Sequence, residues 1–319
     1  MVDIGGRRLH VNMAGQGSPC VVLEAGIAAS SLSWVLVAKK VAEFATVMTY
    51  DRAGFGWSDA APHRCTALDS ARDLALLLEK AEVSGAVLLV GHSFGGLIAR
   101  IFQQMHPERV SGMVLVDPVC RSEWREADEG RKRMLARGVM LSRRGEWLAR
   151  LGVVRLALWL LMSGSRAIPK LLARASAGKA AGVTERLTGE VRKMPKELWP
   201  QAAAHWSRAR SFHAMADALE NLPLSVTQID EKRSLGNSPV AVLSAASANA
   251  VELREHAHDA ALSTSGSHRV VPECGHWMQL DAPDAIVEAV RALIQTPDAH
   301  VNAALRAQGD VGLQADRLS

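Results

Sequence analysis

Aromatic residues are scarce in this chain. Its 319 residues include five Phe, one Tyr and eight Trp, too few for the stacking platform of a single-strand nucleic-acid binder. Cysteine is scarce as well. Cys20, Cys65, Cys120 and Cys274 stand far apart with no C-x-x-C spacing, which argues against a zinc site or redox dithiol and for free thiols in a reducing compartment. The opening MVDIGGRRLHVN reaches a Gly pair and two Arg before any apolar run, so neither a signal peptide nor a membrane span is expected there. A cytoplasmic protein is expected. Gly and Pro are modest, and 48% of the residues are apolar against 22% charged. That balance excludes disordered, collagenous and low-complexity classes.

Short, mostly apolar or β-forming runs punctuate both ends of the chain: Val21–Glu24, Thr46–Tyr50, Val87–Val90, Met113–Val116, Val240–Leu243 and His268–Val271. Such runs predict strands buried on both faces, as in a parallel sheet. Helical spacing lies between and after them. Asp69–Lys80 carries Leu74, Leu77 and Leu78 on one side, Leu97–His106 stops at Pro107, and Asp284–Ile294 aligns Ile286, Val287, Val290 and Leu293. Strand–helix alternation predicts an α/β fold with a mostly parallel central sheet.

The middle departs from that pattern. From Arg121 to Leu222 the residues are helix-forming, with no convincing strand, and they hold five of the eight Trp. Twenty Lys and Arg against ten Asp and Glu give this segment a net charge of +10, leaving −6 for the remainder of a chain whose total is +4. The expected organisation is a core from 1–120, a helical insertion from 121–222, the rest of the core from 223–295 and a loosely attached tail from 296–319. The basic signal therefore belongs to the insertion, and no nucleic-acid partner is expected.

Gly91-His92-Ser93-Phe94-Gly95-Gly96 follows a predicted strand and opens a predicted helix. This is G-x-S-x-G in the context it requires. The serine sits on a sharp turn that only glycine two positions either side can relieve, and the following helix points its positive end at the reacting centre. With this motif the chain resembles the α/β-hydrolase family over nearly its whole length. Tyr50–Asp59, reading YDRAGFGWSD, resembles the family's D-x-x-G-x-G-x-S segment. Cys274-Gly275-His276-Trp277-Met278 is similar to its late Gly-His motif. The resemblance implies an α/β-hydrolase fold with a helical lid in place of the basic insertion. It also implies a serine nucleophile, Ser93, and a histidine base, His276.

The acid is less direct. The family usually carries it in the loop after the Val240–Leu243 strand, where this chain reads Ser244-Ala245-Ala246-Ser247-Ala248-Asn249 with no carboxylate before Glu252. Asp117, one strand earlier, is the favoured candidate, because some family members carry the acid there. Glu252 is held in reserve. By the same resemblance the oxyanion donors are the Phe94 amide and the Ile27 amide, the latter in a loop where Ala25 replaces the usual His. Glu24 is a carboxylate on an apolar strand and needs a partner, for which Arg52 is the candidate. His92 and His106 are read as structural, and His256, His258 and His268 as solvated.

Serine rather than aspartate as nucleophile points to acyl transfer to water, so the expected activity is hydrolysis of a carboxylic ester with an apolar portion. No metal or cofactor is expected. Acyl transfer to another acceptor, carbon–carbon hydrolysis and a non-catalytic binding protein are the alternatives. The stretch Glu146–Met162 is too short and too charged to span a bilayer. It is read as the lid's inner wall, with contact to an anionic membrane surface as the second reading. Arg143, Arg144 and Arg150 are expected to form a basic rim.

Overall fold

A computed structural model describes residues 1–61, 64–162 and 193–295. The chain opens with a small antiparallel pair, β1 (Val2–Asp3) and β2 (Arg8–Leu9). The main sheet follows: β3 (Val11–Ala14), β4 (Cys20–Glu24), β5 (Val47–Tyr50), β6 (Val87–His92), β7 (Val110–Val116), β8 (Val240–Ala245) and β9 (Gly266–Val271). Its spatial order is β3-β5-β4-β6-β7-β8-β9, with only β3 antiparallel to its neighbour. Strands β4, β5, β6 and β8 are buried at every residue, which is why they read as continuous apolar runs. The run at His268–Val271 is a correction. As part of β9 it lies at the sheet edge, and most of the strand is exposed.

Helices cover both faces. On one side α2 (Ala67–Lys80) and α3 (Phe94–Met105) pack Leu74, Leu77, Ile98 and Phe102 against Val22, Leu89 and Val242. On the other, α1 (Val35–Val41) and a C-terminal helix at Pro283–Gln295 pack Val37, Val41, Ile286 and Val290 against Val21, Leu88 and Val114. Alternate residues of one strand thus serve opposite layers. Thr66 starts α2 by accepting from the Asp69 amide, one of the orphan donors of a helix N-terminus. The cysteines are free. Cys20, Cys120 and Cys274 are buried and Cys65 partly so, and burial pushes the thiols of Cys20, Cys65 and Cys120 up to about 11.

Between β7 and β8 the described residues form helices: α4 (Arg121–Arg125), α5 (Glu129–Arg150), α6 (Val153–Met162), α7 (Trp199–Trp206), α8 (Ala209–Glu220) and α9 (Leu222–Ser225). Asp128 caps α5 by accepting from Arg131 N at 2.7 Å. Gly152, at φ +74, breaks the Glu146–Met162 stretch into two helices. After β8 come α10 (Ala250–Ala261), α11 (Met278–Asp281) and α12, the C-terminal helix already given. The tail expected from 296 lies outside the described residues. Among those described, no helix is long and apolar enough to cross a membrane.

Candidate active site

The parallel strands β4, β6, β7 and β8 end at one edge of the sheet, and Ser93 leaves β6 there. Its φ of 54° and ψ of −118° lie where a side chain is disfavoured. The turn holds because its neighbours are glycines. A Cβ on Gly91 would run into the backbone of Gly95, and one on Gly95 into the Glu24 carbonyl. Ser93 N donates to Val116 O at 3.0 Å, tying the turn to the end of β7. Phe94 is the first residue of α3.

Asp117 leaves β7 beside it, also in the left-handed region at φ 42°. Its amide donates to Leu243 O at 2.6 Å, and its Oδ1 accepts from Ala245 N at 2.9 Å. Its Oδ2 lies 2.6 Å from His276 Nδ1. Burial opposes the charge on Asp117, but the bond to His276 and the Ala245 amide prevail and hold its carboxyl below the ordinary value. An ionised carboxylate can only accept, so His276 Nδ1 donates in this bond. The His276 side chain is 49% exposed.

His92 fixes the loop that carries His276. Its Nε2 donates to the His276 carbonyl at 2.7 Å, and Gln279 Nε2 approaches its Nδ1 at 3.3 Å. Burial pulls the His92 imidazole down to about 3, so it is neutral, as a ring that donates at one nitrogen and accepts at the other must be. The residue before Ser93 thus holds the backbone of His276.

The loop after β4 is held in the same manner. Arg52 Nη1 reaches Glu24 Oε1 at 2.5 Å and also the Ala25 carbonyl. Its Nη2 donates to Gly26 O at 2.6 Å and Ile27 O at 3.4 Å. Tyr50 OH donates to the other Glu24 oxygen. The partnership expected between Glu24 and Arg52 is present, and the same guanidinium gathers three successive carbonyls, so the loop bearing Ile27 is fixed from the carbonyl side. Burial pushes the Glu24 carboxyl above its ordinary value against the pull of Arg52.

Glu252, the reserve acid, has other work. It is the third residue of α10. Its Oε2 accepts from Asn249 N at 2.6 Å while Asn249 Oδ1 accepts from Val251 N and Glu252 N, a capping box. Two histidines correct the sequence reading. His256 is not solvated: it is 1% exposed, with Nδ1 on Ser244 Oγ at 2.7 Å and Nε2 donating to Pro118 O at 2.8 Å. His268 is half-buried and shares that Ser244 hydroxyl at 2.8 Å. His256 lies on the side of α10 that faces β8, which no local pattern reveals.

The helical segment also departs from expectation. Trp147, Leu151, Leu156 and Trp159 of the Glu146–Met162 stretch are exposed, so this stretch is not the inner wall. The apolar cavity beside the loop after β4 is lined instead from α7 and α8, by His205, Trp206, Ser211, Phe212 and Met215, together with Ala28, Ser30, Phe55 and Gly56. Sequence reasoning missed His205 and Ser211, which belong to no motif. Two of the three arginines expected at a basic rim are paired: Arg143 with Asp217 at 2.6 Å and Arg150 with Glu146 at 2.6 Å.

Residues 19–283 match the model of the alpha/beta hydrolase fold. The chain belongs to the α/β-hydrolase fold family. The lipase LipV of Mycobacterium tuberculosis is 35% identical over 130 residues, covering 40% of this chain and 48% of that one. The chain spans about half or less of the length of the curated relatives it matches. Among solved structures, a thermophilic esterase from Thermogutta terrifontis superposes with a TM-score of 0.62 at 19% identity, covering 92% of this chain and 95% of that one. The epoxide hydrolase CorEH gives 0.63 at 17% identity, with 91% and 95% covered. These likenesses show the fold, on which both chemistries occur.

Proposed function

We propose that this α/β hydrolase cleaves carboxylic esters through an acyl-enzyme. The observation that carries the reading is the short His276–Asp117 hydrogen bond at the strand end next to the Ser93 turn. Ser93 Oγ attacks the ester carbonyl and passes its proton to His276 Nε2. Asp117 holds the imidazole in the Nδ1–H tautomer and stabilises the imidazolium. The Phe94 and Ile27 amides receive the developing oxyanion. The alcohol leaves with the proton from His276, and water, activated by the same nitrogen, releases the acid and restores Ser93. Serine at the turn favours this chemistry over epoxide opening, for which a carboxylate nucleophile is expected. The wall of Phe55, Trp206, Phe212 and Met215 supports an apolar portion in the substrate. Exposed apolar side chains on α5 and α6 support contact between the lid and a lipid surface. Four unpaired cysteines favour a reducing, cytoplasmic setting.

A fluorophosphonate probe tests this directly. Its mass is expected on Ser93, and Ser93→Ala is expected to lose p-nitrophenyl ester turnover by about 10⁴-fold or more while keeping its circular dichroism. An unlabelled Ser93, or equal turnover in the variant, removes the proposal.

A further inference from the structure

A link of three residues, Asp117 to Val119, joins the acid of the proposed triad to its nucleophile. Asp117 Oδ2 lies 2.6 Å from His276 Nδ1, and Val119 N donates to Ser93 O at 3.3 Å. Between them stands Pro118, which has no N–H with which to anchor itself. Asp117 sits at φ 42°, a conformation that persists only where the surroundings impose it. Whatever holds this link therefore bears on the acid and the nucleophile together.

An anchor comes from α10. His256 is buried, and its Nε2 lies 2.8 Å from the Pro118 carbonyl. A carbonyl oxygen has no hydrogen to give, so Nε2 is the donor. The other ring nitrogen, Nδ1, is 2.7 Å from Ser244 Oγ on β8, and His268 Nε2 on β9 meets the same hydroxyl at 2.8 Å. That hydroxyl can give its hydrogen to one ring and accept from the other. Either order leaves the hydrogen on His256 Nε2, so the ring is fixed at both nitrogens. Ser244 is 0% exposed. This Ser–His pair is therefore closed to substrate and is not a second hydrolytic centre.

Two other residues of α10 reach slightly further along the chain. Glu255 accepts from Arg121 N at 2.6 Å and Ser122 N at 3.0 Å. Asp259 accepts from Arg121 Nη1 at 2.8 Å and Nη2 at 2.7 Å. Both hold the start of α4. Of these three side chains, His256 is the one that bonds to the link itself.

We infer that His256 is a positioning residue of the ester hydrolase: through the Pro118 carbonyl it fixes the link that aims Asp117 at His276 and ties it to Ser93. This rests on the ester-hydrolase reading above. His256 touches no reacting atom. Its effect passes through Asp117, whose work of stabilising the imidazolium is done in the transition state. The loss on removing the donor should therefore fall on kcat and spare KM.

The experiment measures p-nitrophenyl butyrate turnover by the full chain, with kcat expressed per Ser93 labelled to completion by a fluorophosphonate. His256→Phe keeps a ring and removes the donor. It is expected to lower kcat by about 10- to 100-fold with KM within about twofold. His256→Gln returns a donor toward Pro118 O and is expected to recover most of that loss. Glu255→Gln loosens α4 without touching the link and is expected to keep kcat within about twofold. Ser244→Ala leaves Nε2 in place but frees the other side of the ring, with an expected loss of about threefold or more. An unchanged kcat per labelled site in His256→Phe overturns the inference. An equal loss in Glu255→Gln, or a Gln variant no better than Phe, overturns it as well, since either marks general loosening. Should His256→Phe not fold, Ser244→Ala decides, and an unchanged kcat there overturns the inference. If Ser93 is not labelled in the unaltered protein and no ester is cleaved, the hydrolase reading itself falls and takes this inference with it.

Discussion

Adjacent strands β7 and β8 end side by side and put their polar residues to opposite uses. After β7, Asp117 reaches outward: one oxygen binds the Ala245 amide of the neighbouring strand, the other the His276 ring. After β8, Glu252 turns back on its own helix and with Asn249 caps it, although the Asn249 side-chain amide also donates to Glu123 of α4 at 3.1 Å. The other strand ends at this edge side with β7. Glu24 and Arg52 tie the loops after β4 and β5 together, and His92 at the end of β6 holds the carbonyl of His276. The difference teaches that a carboxylate is assigned by what it spans, not by its rank along the chain. A group that bridges loops sets the geometry of a site, and one that closes a local ring sets the stability of a helix.

The sharpest way to break this contrast is to remove the acid. Asp117→Asn is expected to lower kcat for p-nitrophenyl esters by about 10⁴-fold. Glu252→Gln preserves a capping-box side chain and is expected to stay within about twofold. The reverse result would move the acid to β8. Next in size, Arg52→Met leaves Glu24 buried without its counter-charge. Urea unfolding is expected to register a loss of about 3–5 kcal/mol, and a loss under about 1 kcal/mol would mean the loops hold without the pair.

His92 provides a test through acid. In the fold it stays neutral down to about pH 3, whereas an imidazole in the unfolded chain takes its proton near pH 6.5. Between these values the unfolded state binds the extra proton, so stability falls as the pH falls. From pH 7 to 4.5 the contribution lost is about 2–3 kcal/mol. His92→Gln is expected to be correspondingly less acid-sensitive in paired urea titrations, and an unchanged sensitivity would count against the neutral buried ring. The smallest effect belongs to the local cap. Asn249→Ala is expected to cost about 1 kcal/mol of stability with ester turnover retained, and a large loss of turnover would erase the distinction between the two strand ends.

Much of this was legible before any coordinate. The strands at Val21, Val87 and Val240 announced themselves because burial on both faces demands unbroken apolar runs. Strands β1, β2 and β3 did not, being short and partly or mostly exposed, and β9 looked more buried than an edge strand can be. Ser93 and His276 were legible because a strained turn and a late loop each need glycine at a fixed offset. Asp117 was legible through the resemblance, as the favoured of two carboxylates, while its bonds to Ala245 and His276 depend on strand neighbours that no local pattern reveals. His205 and Ser211 were invisible. They belong to a cavity wall assembled from α7, α8 and the loop after β4, and no motif marks such a wall in a sequence.

The buried cysteines have a practical corollary. A thiol reacts through its thiolate, and with Cys20, Cys65 and Cys120 held near 11 almost none is present at neutral pH. A new cysteine on the solvent face of α5, such as Arg144→Cys, has an ordinary thiol and is expected to outcompete them for maleimide by about a hundredfold. A fluorophore could then be placed on the helical segment without first stripping the native cysteines, and its surroundings followed during turnover.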